Sequence, residues 1–145
     1  GETALAGLRV DADHRFVGAA DVLWVDGQIR HLPQHVFDVG VGRVGKAWFG
    51  SRYIDGKRIK PAWAPPSEVK RDNPRLPNVI PGGVPGNPMG AAALTLSGGE
   101  YAIHGTNAPG SIGGFVSYGC IRMHNSDILD LYNRVSFGTR VVVTR

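Results

Sequence analysis

The chain has 145 residues, of which 42% are hydrophobic, and this length suits one compact domain with its own core. Sixteen Lys and Arg against twelve Asp and Glu give a formal net charge of +4 at pH 7. This charge would suit an anionic polymer, but the basic residues are scattered and no recognisable nucleic-acid-binding module accompanies them. We therefore expect no nucleic-acid partner. No run of about eighteen apolar residues is present, so no membrane span is predicted.

Short strands joined by tight turns are predicted over residues 21–60. The run from Asp21 to Arg30 surrounds the pair Asp26-Gly27, a dipeptide typical of two-residue hairpin turns. Another strand is predicted from His35 to Val41. The pair Asp55-Gly56 repeats the turn signature and predicts a second hairpin.

The segment from Pro61 to Gly90 contains eight of the ten prolines, a density that excludes regular elements longer than a turn or two. A short helix capped by Ser67 and running to Arg71 is compatible with it. A disordered linker is the simplest interpretation. We predict an ordered loop instead, because the segment carries apolar anchors that solvated linkers usually lack, namely Trp63, Leu76, Val79, Ile80 and Met89.

The remaining elements complete a mainly β pattern. In chain order they are strands over Ala91–Leu96 and Tyr101–His104, a helix over Ser126–Val135 and a strand over Arg140–Thr144. The helix has one apolar face, and Asn125 or Ser126 is its predicted cap. We interpret residues 1–20 as a lead-in segment and residues 21–145 as one domain.

Cys120 is the single cysteine, so no internal disulfide is available to it. A glycine-rich stretch, which includes Gly119, leads back from it to His104, sixteen positions earlier. A thiol attacks carbonyl carbon as the thiolate, and histidine is the natural base because its usual pKa lies near neutrality. We therefore predict that this stretch folds Cys120 back beside His104, as nucleophile and base.

Gly119 has a second predicted use. A residue without Cβ lets a substrate carbonyl approach, and successive N–H groups can then hold its oxygen as negative charge develops. The N–H groups of Gly119 and Cys120 are the candidates for this oxyanion hole. The alternative is that the glycines only serve turns.

Two stretches closely resemble the signature of the L,D-transpeptidase catalytic domain, also called the YkuD domain. They are Ile103-His104-Gly105-Thr106-Asn107 and Ser117-Tyr118-Gly119-Cys120-Ile121-Arg122-Met123. The resemblance runs from about Val22 to the C-terminus, and it includes residues 39–43, 63–66, 81–83, 86–90 and 138–143.

The resemblance implies a β-sandwich of mixed sheets with one C-terminal amphipathic helix and a long Pro/Gly-rich loop that walls or lids the site. It also implies an acyltransferase of the periplasm or cell envelope, after removal of a signal peptide, and a target of carbapenems. The thiolate attacks the carbonyl of the third residue of a peptidoglycan tetrapeptide stem, usually diaminopimelate, and releases D-alanine. An amine of another stem or of an envelope protein resolves the thioester. No cofactor is expected.

Motif position also implies individual roles. Cys120 is the nucleophile, His104 the base, and the Gly105 carbonyl the group that orients the imidazole. Tyr118 departs from the commonest family pattern, which has histidine at this position. Either its hydroxyl hydrogen-bonds the substrate, or its ring only packs against the protein. Arg122 either braces the loop through a salt bridge or binds a substrate carboxylate. The other predicted substrate-binding residues are Ser117, Thr106 and Asn107.

Three alternatives stay open at this point. Water in place of an amine would make the same site an L,D-carboxypeptidase or amidase. Zinc binding by His104, Cys120 and His124 is a second alternative, although no tight metal-ligand spacing links them. The third is a non-catalytic envelope-binding module.

Overall fold

The computed structural model describes residues 7–10, 15–19, 22–25, 28–31, 35–43, 46 and 48–143. Its strands are β1 (Gly7–Val10), β2 (Arg15–Ala19), β3 (Val22–Val25), β4 (Gln28–His31), β5 (His35–Gly42), β6 (Gly50–Ile59), β7 (Ala92–Leu96), β8 (Ala102–His104), β9 (Phe115–Ser117), β10 (Ile121–Met123) and β11 (Arg140–Val143). Its α-helices are α1 (Ser67–Asp72) and α2 (Asn125–Arg134), and a single 3₁₀ turn spans Pro109–Ser111. The mainly β prediction is confirmed.

One mixed sheet carries nearly all the strands. Its order is β10-β8-β7-β6-β11-β1-β2-β5-β9, and an additional pairing joins β10 to β5. The pairs β1–β11, β8–β10 and β5–β9 are parallel, and the other pairs are antiparallel. A sandwich needs two stacked sheets, whereas here the sheet curls until β5 reaches β10. The predicted β-sandwich is therefore corrected to one curled, mixed sheet.

Two strands lie inside the segment that the sequence analysis set apart as a lead-in. β1 pairs with β11 and β2, and β2 pairs with β5, so residues 7–10 and 15–19 belong to the main sheet. The domain boundary at residue 21 stays a prediction, but these strands are part of the same sheet as the rest of the chain.

The first predicted hairpin is present and the second is not. β3 and β4 pair antiparallel with Val25 opposite Gln28, and their connecting pair Asp26-Gly27 lies outside the described residues. The pair Asp55-Gly56 instead lies within the continuous strand β6, at a register shift against β7. The predicted turn there is wrong. The strand continues through Gly56, whose lack of a side chain lets β6 approach β7 closely.

The bulge in β6 shows what the glycine does. The Thr95 hydroxyl donates to the Asp55 carboxylate at 2.7 Å, and a Cβ on Gly56 would lie 2.3 Å from the same hydroxyl oxygen. A β-bulge inserts one residue into a strand and bends it, which is how Asp55 fits without ending the strand.

The predicted ordered loop over residues 61–90 is tied down by its own polar groups. Trp63 and Ile80 exchange backbone hydrogen bonds of 2.9 and 2.8 Å. The buried side-chain amide of Asn87 donates to the carbonyls of Pro61 and Pro81 at 2.9 and 3.0 Å. These bonds replace a regular element in a segment where proline removes backbone donors.

Each helix begins at a residue predicted to be its cap, so the residue in the cap position lies one place earlier. Pro66 precedes α1 and His124 precedes α2, and neither helix start has a side-chain cap. The capping predictions for Ser67 and for Asn125 or Ser126 are therefore wrong. The apolar face of α2 is confirmed, since Ile128 and Leu131 are fully buried in the core formed with β5, β7, β8, β10 and β11.

We predict that Gly56→Ala lowers the free energy of unfolding by about 1–3 kcal/mol, because the added methyl group overlaps the Thr95 hydroxyl. Gly86→Ala is the matched control, since a Cβ there meets no atom within 4 Å. Urea unfolding of both variants measures the difference. Removing the hydroxyl with Thr95→Ala should recover part of the loss in the Gly56→Ala background, and additive losses would contradict the steric explanation.

Candidate active site

The parallel strands β8 and β10 bring the predicted nucleophile and base to one face of the sheet. Ile121 pairs with Ile103 and Arg122 pairs with His104. Because side chains alternate along strands, burial of the two isoleucines in the core leaves Cys120, Arg122 and His104 on the opposite face. His104 and Cys120 line one cavity of about 170 Å³.

His104 is buried, at 5% exposure, and its Nδ1 lies 2.5 Å from the Gly105 carbonyl oxygen. Burial lowers the pKa of this histidine to about 4; the Gly105 carbonyl opposes the shift and the charge of Arg122 adds to it. The ring is therefore neutral at pH 7. Because a carbonyl only accepts, Nδ1 carries the proton and Nε2 is left as the basic atom.

The Cys120 thiol lines the same cavity as this neutral ring. Burial raises the pKa of the thiol, while a backbone hydrogen bond from Ala102 and the charge of Arg122 act in the opposite direction. The thiol is thus protonated at neutral pH, and no thiolate–imidazolium pair forms at rest. Attack on a carbonyl requires removal of the thiol proton, which is the task of a general base.

Ser117 organises the backbone around the cysteine. Its hydroxyl donates to the Cys120 carbonyl at 2.5 Å and accepts from the Gly119 N–H at 3.2 Å. The Gly119 N–H is thus hydrogen-bonded within the loop in this structure, and its role as an oxyanion donor stays a prediction. Among the described residues no acceptor is found for the Cys120 N–H, so it remains the candidate.

Gly119 itself is required by its backbone and by its neighbours. Its φ is +125°, and a Cβ would lie 2.3 Å from a ring carbon of Tyr101. Its carbonyl accepts a hydrogen bond of 3.0 Å from the indole N–H of Trp48. A side chain at this position would force the loop off the aromatic rings beneath it.

Tyr118, the residue that departs from the common family pattern, connects the cysteine loop to α1. Its hydroxyl donates to the Asp72 carboxylate at 2.5 Å, and this bond raises the pKa of the phenol. The Arg43 guanidinium lies 4.5 Å from the ring centroid. Lys46 pairs with Glu68, also on α1. The hydroxyl is therefore engaged within the protein rather than free for substrate.

Arg122 lines the same cavity with its guanidinium near His104 and Cys120. Its Nη1 donates to the Ser111 hydroxyl at 3.3 Å. Within the described ranges no carboxylate pairs with it, so the predicted salt-bridge brace is not formed there. Burial lowers the pKa of this guanidinium, whereas a Cys120 thiolate would raise it.

Two predicted substrate-binding residues lie elsewhere. Thr106 and Asn107 line a separate cavity of about 450 Å³ together with Lys60. Thr106 is buried, and its hydroxyl accepts from the Ala108 N–H at 2.9 Å. The cysteine cavity is walled instead by the Pro/Gly-rich loop, through Trp63, Pro66, Val69, Pro88 and Met89.

Asn125 is a structural residue of the site whose role the sequence analysis missed. Its Oδ1 accepts from the N–H groups of Ala91 and Thr106 at 3.0 and 3.1 Å, and its Nδ2 donates to the Thr106 carbonyl at 2.9 Å. These bonds connect the start of α2 to the loop after His104. The cap-like position of Asn125 concealed this role, because its partners lie far away in the chain.

The zinc alternative lacks support in the described part of the chain. No group of three His, Cys, Asp or Glu side chains there is arranged to hold a metal ion, so His104, Cys120 and His124 do not form a ligand cluster. No described helix has the length and apolar character that crossing a membrane requires.

The low pKa of His104 predicts a pH-dependent stability. Unfolded histidine takes up a proton below about pH 6.5, whereas buried His104 resists protonation until about pH 4. The contribution of neutral His104 to stability is therefore fully present above the pKa of the unfolded histidine. It is lost as the pH falls toward the pKa of the folded histidine. Between about pH 7 and 4.5, the wild-type domain should lose about 2–3 kcal/mol more free energy of unfolding than His104→Gln. Urea unfolding of both proteins at both pH values measures this, and equal losses in the two proteins would contradict the assignment.

The Tyr118–Asp72 bond predicts a change in the exposure of α1. This helix has six residues and none of them is buried, so its position depends on its side-chain contacts. Tyr118→Phe and Asp72→Ala should each raise the rate of trypsin cleavage after Lys70 or Arg71 several-fold, and the double variant should show no further increase. Tyr53→Phe, at an exposed tyrosine, is the control. Multiplying effects in the double variant would show that the two side chains act separately.

Comparison with known proteins identifies the domain. A family model described as the L,D-transpeptidase catalytic domain, YkuD, matches residues 12–143. The probable L,D-transpeptidase YbiS of Escherichia coli strain K12 is 42% identical over 114 residues, which cover 73% of this chain and 36% of YbiS. A solved L,D-transpeptidase from Mycobacterium smegmatis has a TM-score of 0.67 at 20% identity, covering 95% of this chain and 58% of that one. The structure of LdtMt1 in complex with imipenem has a TM-score of 0.65 at 15% identity, covering 98% and 59%.

The two solved structures show a shared fold, and the chain spans little more than a third of the curated relative's length. Because the family model matches nearly the whole chain, the chain belongs to the L,D-transpeptidase catalytic domain (YkuD) family of enzymes.

Proposed function

We propose that this domain is a peptidoglycan L,D-transpeptidase that uses Cys120 as its nucleophile and His104 as its base. The observation that carries the proposal is the shared cavity of the two side chains, with the Nδ1 proton of His104 held by the Gly105 carbonyl. This arrangement leaves Nε2 to take the thiol proton. The family match supports the substrate class, a peptide stem of peptidoglycan.

Acylation follows from these positions. As His104 Nε2 takes the thiol proton, Cys120 Sγ adds to the carbonyl carbon of the third stem residue, and the oxyanion is held by the Cys120 N–H. Collapse breaks the C–N bond to the terminal D-alanine, whose amine takes the proton from the imidazolium. The product is a thioester on Cys120. The Gly105 carbonyl performs the orienting task that a carboxylate performs in many triads.

Transfer then reverses the proton movements. An acceptor amine, from a second stem or an envelope protein, adds to the thioester carbonyl and gives its proton to His104. Collapse breaks the C–S bond, returns the proton to the Cys120 thiol and leaves a new amide. The place of action we propose is the periplasm or the outer face of the cell envelope, where peptidoglycan stems are found.

The positive charge in the cavity supports the identity of the donor. Arg122 lines the cavity and lacks an ion-pair partner in the described part of the chain. A guanidinium matches a carboxylate through paired N–H donors, and diaminopimelate carries a carboxylate on its side chain. The apolar walls from the Pro/Gly-rich loop exclude water from the thioester and favour an amine over hydrolysis.

Incubation of the domain with tetrapeptide muropeptides, followed by mass spectrometry of the products, tests the proposal. We expect cross-linked dimers and free D-alanine. Tripeptide monomers alone, with acceptor in excess, would make the enzyme an L,D-carboxypeptidase. Absence of both products, and of an imipenem adduct on Cys120, would favour a binding module.

The two assigned side chains are tested by acylation with imipenem, read by intact mass. Cys120→Ala should form no adduct while keeping its fold, because a small apolar replacement on a loop costs little stability. His104→Ala should acylate about 10²–10⁴-fold more slowly through loss of the base. His124→Ala, at a half-buried histidine outside the cavity, is the control. Wild-type acylation by His104→Ala would show that another group is the base.

A further inference from the structure

We propose that Trp48 is a positioning residue for the oxyanion donor of the site, acting through the Gly119–Cys120 peptide. This inference rests on the proposed function, since it concerns the acylation step. Trp48 does not line the cysteine cavity; with Gly119 and Ile121 it lines a small separate cavity on the other side of the loop. Its effect on the reaction therefore passes through the backbone.

The peptide between Gly119 and Cys120 links the indole to the cavity. The two polar groups of a trans peptide point in opposite directions, and no cis peptide is present among the described residues. The Gly119 carbonyl is held by the Trp48 N–H at 3.0 Å. The N–H of the same peptide, which belongs to Cys120, must therefore point away from Trp48, toward the side on which the thiol lies.

An anchor is needed because glycine leaves this peptide free to rotate. Gly119 has φ +125°, in a region that glycine adopts without steric penalty. Nothing in the glycine itself therefore keeps the peptide in this conformation. Rotation of the peptide would point the Gly119 carbonyl toward the substrate carbonyl and replace a donor with an acceptor. A developing oxyanion would then be repelled rather than stabilised. The Trp48 hydrogen bond favours the productive orientation.

The indole is itself held in place by its surroundings. Trp48 stacks on Tyr101 with ring centroids 5.9 Å apart and planes 14° from parallel. The Arg52 guanidinium lies 4.9 Å from the Trp48 ring centroid and 4.7 Å from that of Tyr101, and it donates to the Ser97 carbonyl at 2.8 Å. Two rings and a cation therefore fix the direction of the indole N–H.

The test compares two reactions of the same thiol. Imipenem acylates by addition to a carbonyl, which needs an oxyanion donor, whereas iodoacetamide alkylates by displacement at a saturated carbon, which does not. Trp48→Phe keeps an aromatic ring on Tyr101 and removes the N–H. We expect acylation to slow roughly 10- to 100-fold, less than the loss of about 10²–10³ when a donor is removed outright. Alkylation should stay within about twofold of wild type.

A second variant separates the hydrogen bond from packing. A benzothiophene analogue of tryptophan, incorporated at position 48, keeps the shape of the indole but has sulfur in place of the N–H. It should show the same selective loss of acylation, and Tyr101→Phe, which keeps the stacked ring, should show none.

Wild-type acylation by the analogue, or equal losses of acylation and alkylation in it, would overturn the inference. Neither reaction uses peptidoglycan, so the two proposals fail separately: a wild-type domain that reacts with imipenem but makes no cross-link contradicts the proposed function alone.

Discussion

Parallel pairing of β8 with β10 is the constraint on which the site depends. Each strand is only three residues long, and each presents one isoleucine to the core, Ile103 and Ile121, exposed by 0% and 2%. Burial of these two side chains sets the register, and β5 holds the far side of β10. A slip by one residue would turn His104 into the core and an isoleucine into the cavity. Hydrophobic burial thus places the two side chains on the same face, and the polar contacts within the site then set their orientation.

Burial also determines the protonation state of the resting site. It makes both the imidazole and the thiol prefer their neutral forms, so the resting site holds one proton on sulfur and one on Nδ1 of His104. Arg122 has opposite effects on the two groups, since its charge favours a thiolate and disfavours an imidazolium. In the proposed acylation, separated charges would arise only as the carbonyl is attacked, when the developing oxyanion carries the negative charge. This arrangement protects the thiol from reagents that react with free thiolates.

How much of the structure can be predicted from the sequence depends on how far apart in the chain the interacting residues lie. Strand alternation and the apolar face of α2 are local patterns, and both are present in the structure. The pair Asp55-Gly56 has the local signature of a turn, yet its glycine accommodates Thr95 on another strand. The partner of Tyr118 lies 46 residues away, and those of Asn125 lie 34 and 19 residues away. No local pattern reports such contacts, so the wrong inferences fall where tertiary hydrogen bonds override turn and capping preferences.

The bonds made by Asn125 have a consequence for how this site can change in evolution. A Cβ at Gly90 would lie 2.2 Å from Asn125 Oδ1, and one at Gly105 would lie 2.1 Å from the same atom. A side chain at either glycine therefore requires Asn125 to move, and moving Asn125 leaves the Thr106 and Ala91 backbone groups without their partner. A Cβ at Gly90 would also lie 2.3 Å from the Thr106 backbone nitrogen, and one at Gly105 would lie 2.9 Å from the Ala91 backbone nitrogen, so moving Asn125 alone would not make room for either side chain. The segment behind the base therefore leaves no room for a side chain at either glycine, whatever residue stands at position 125.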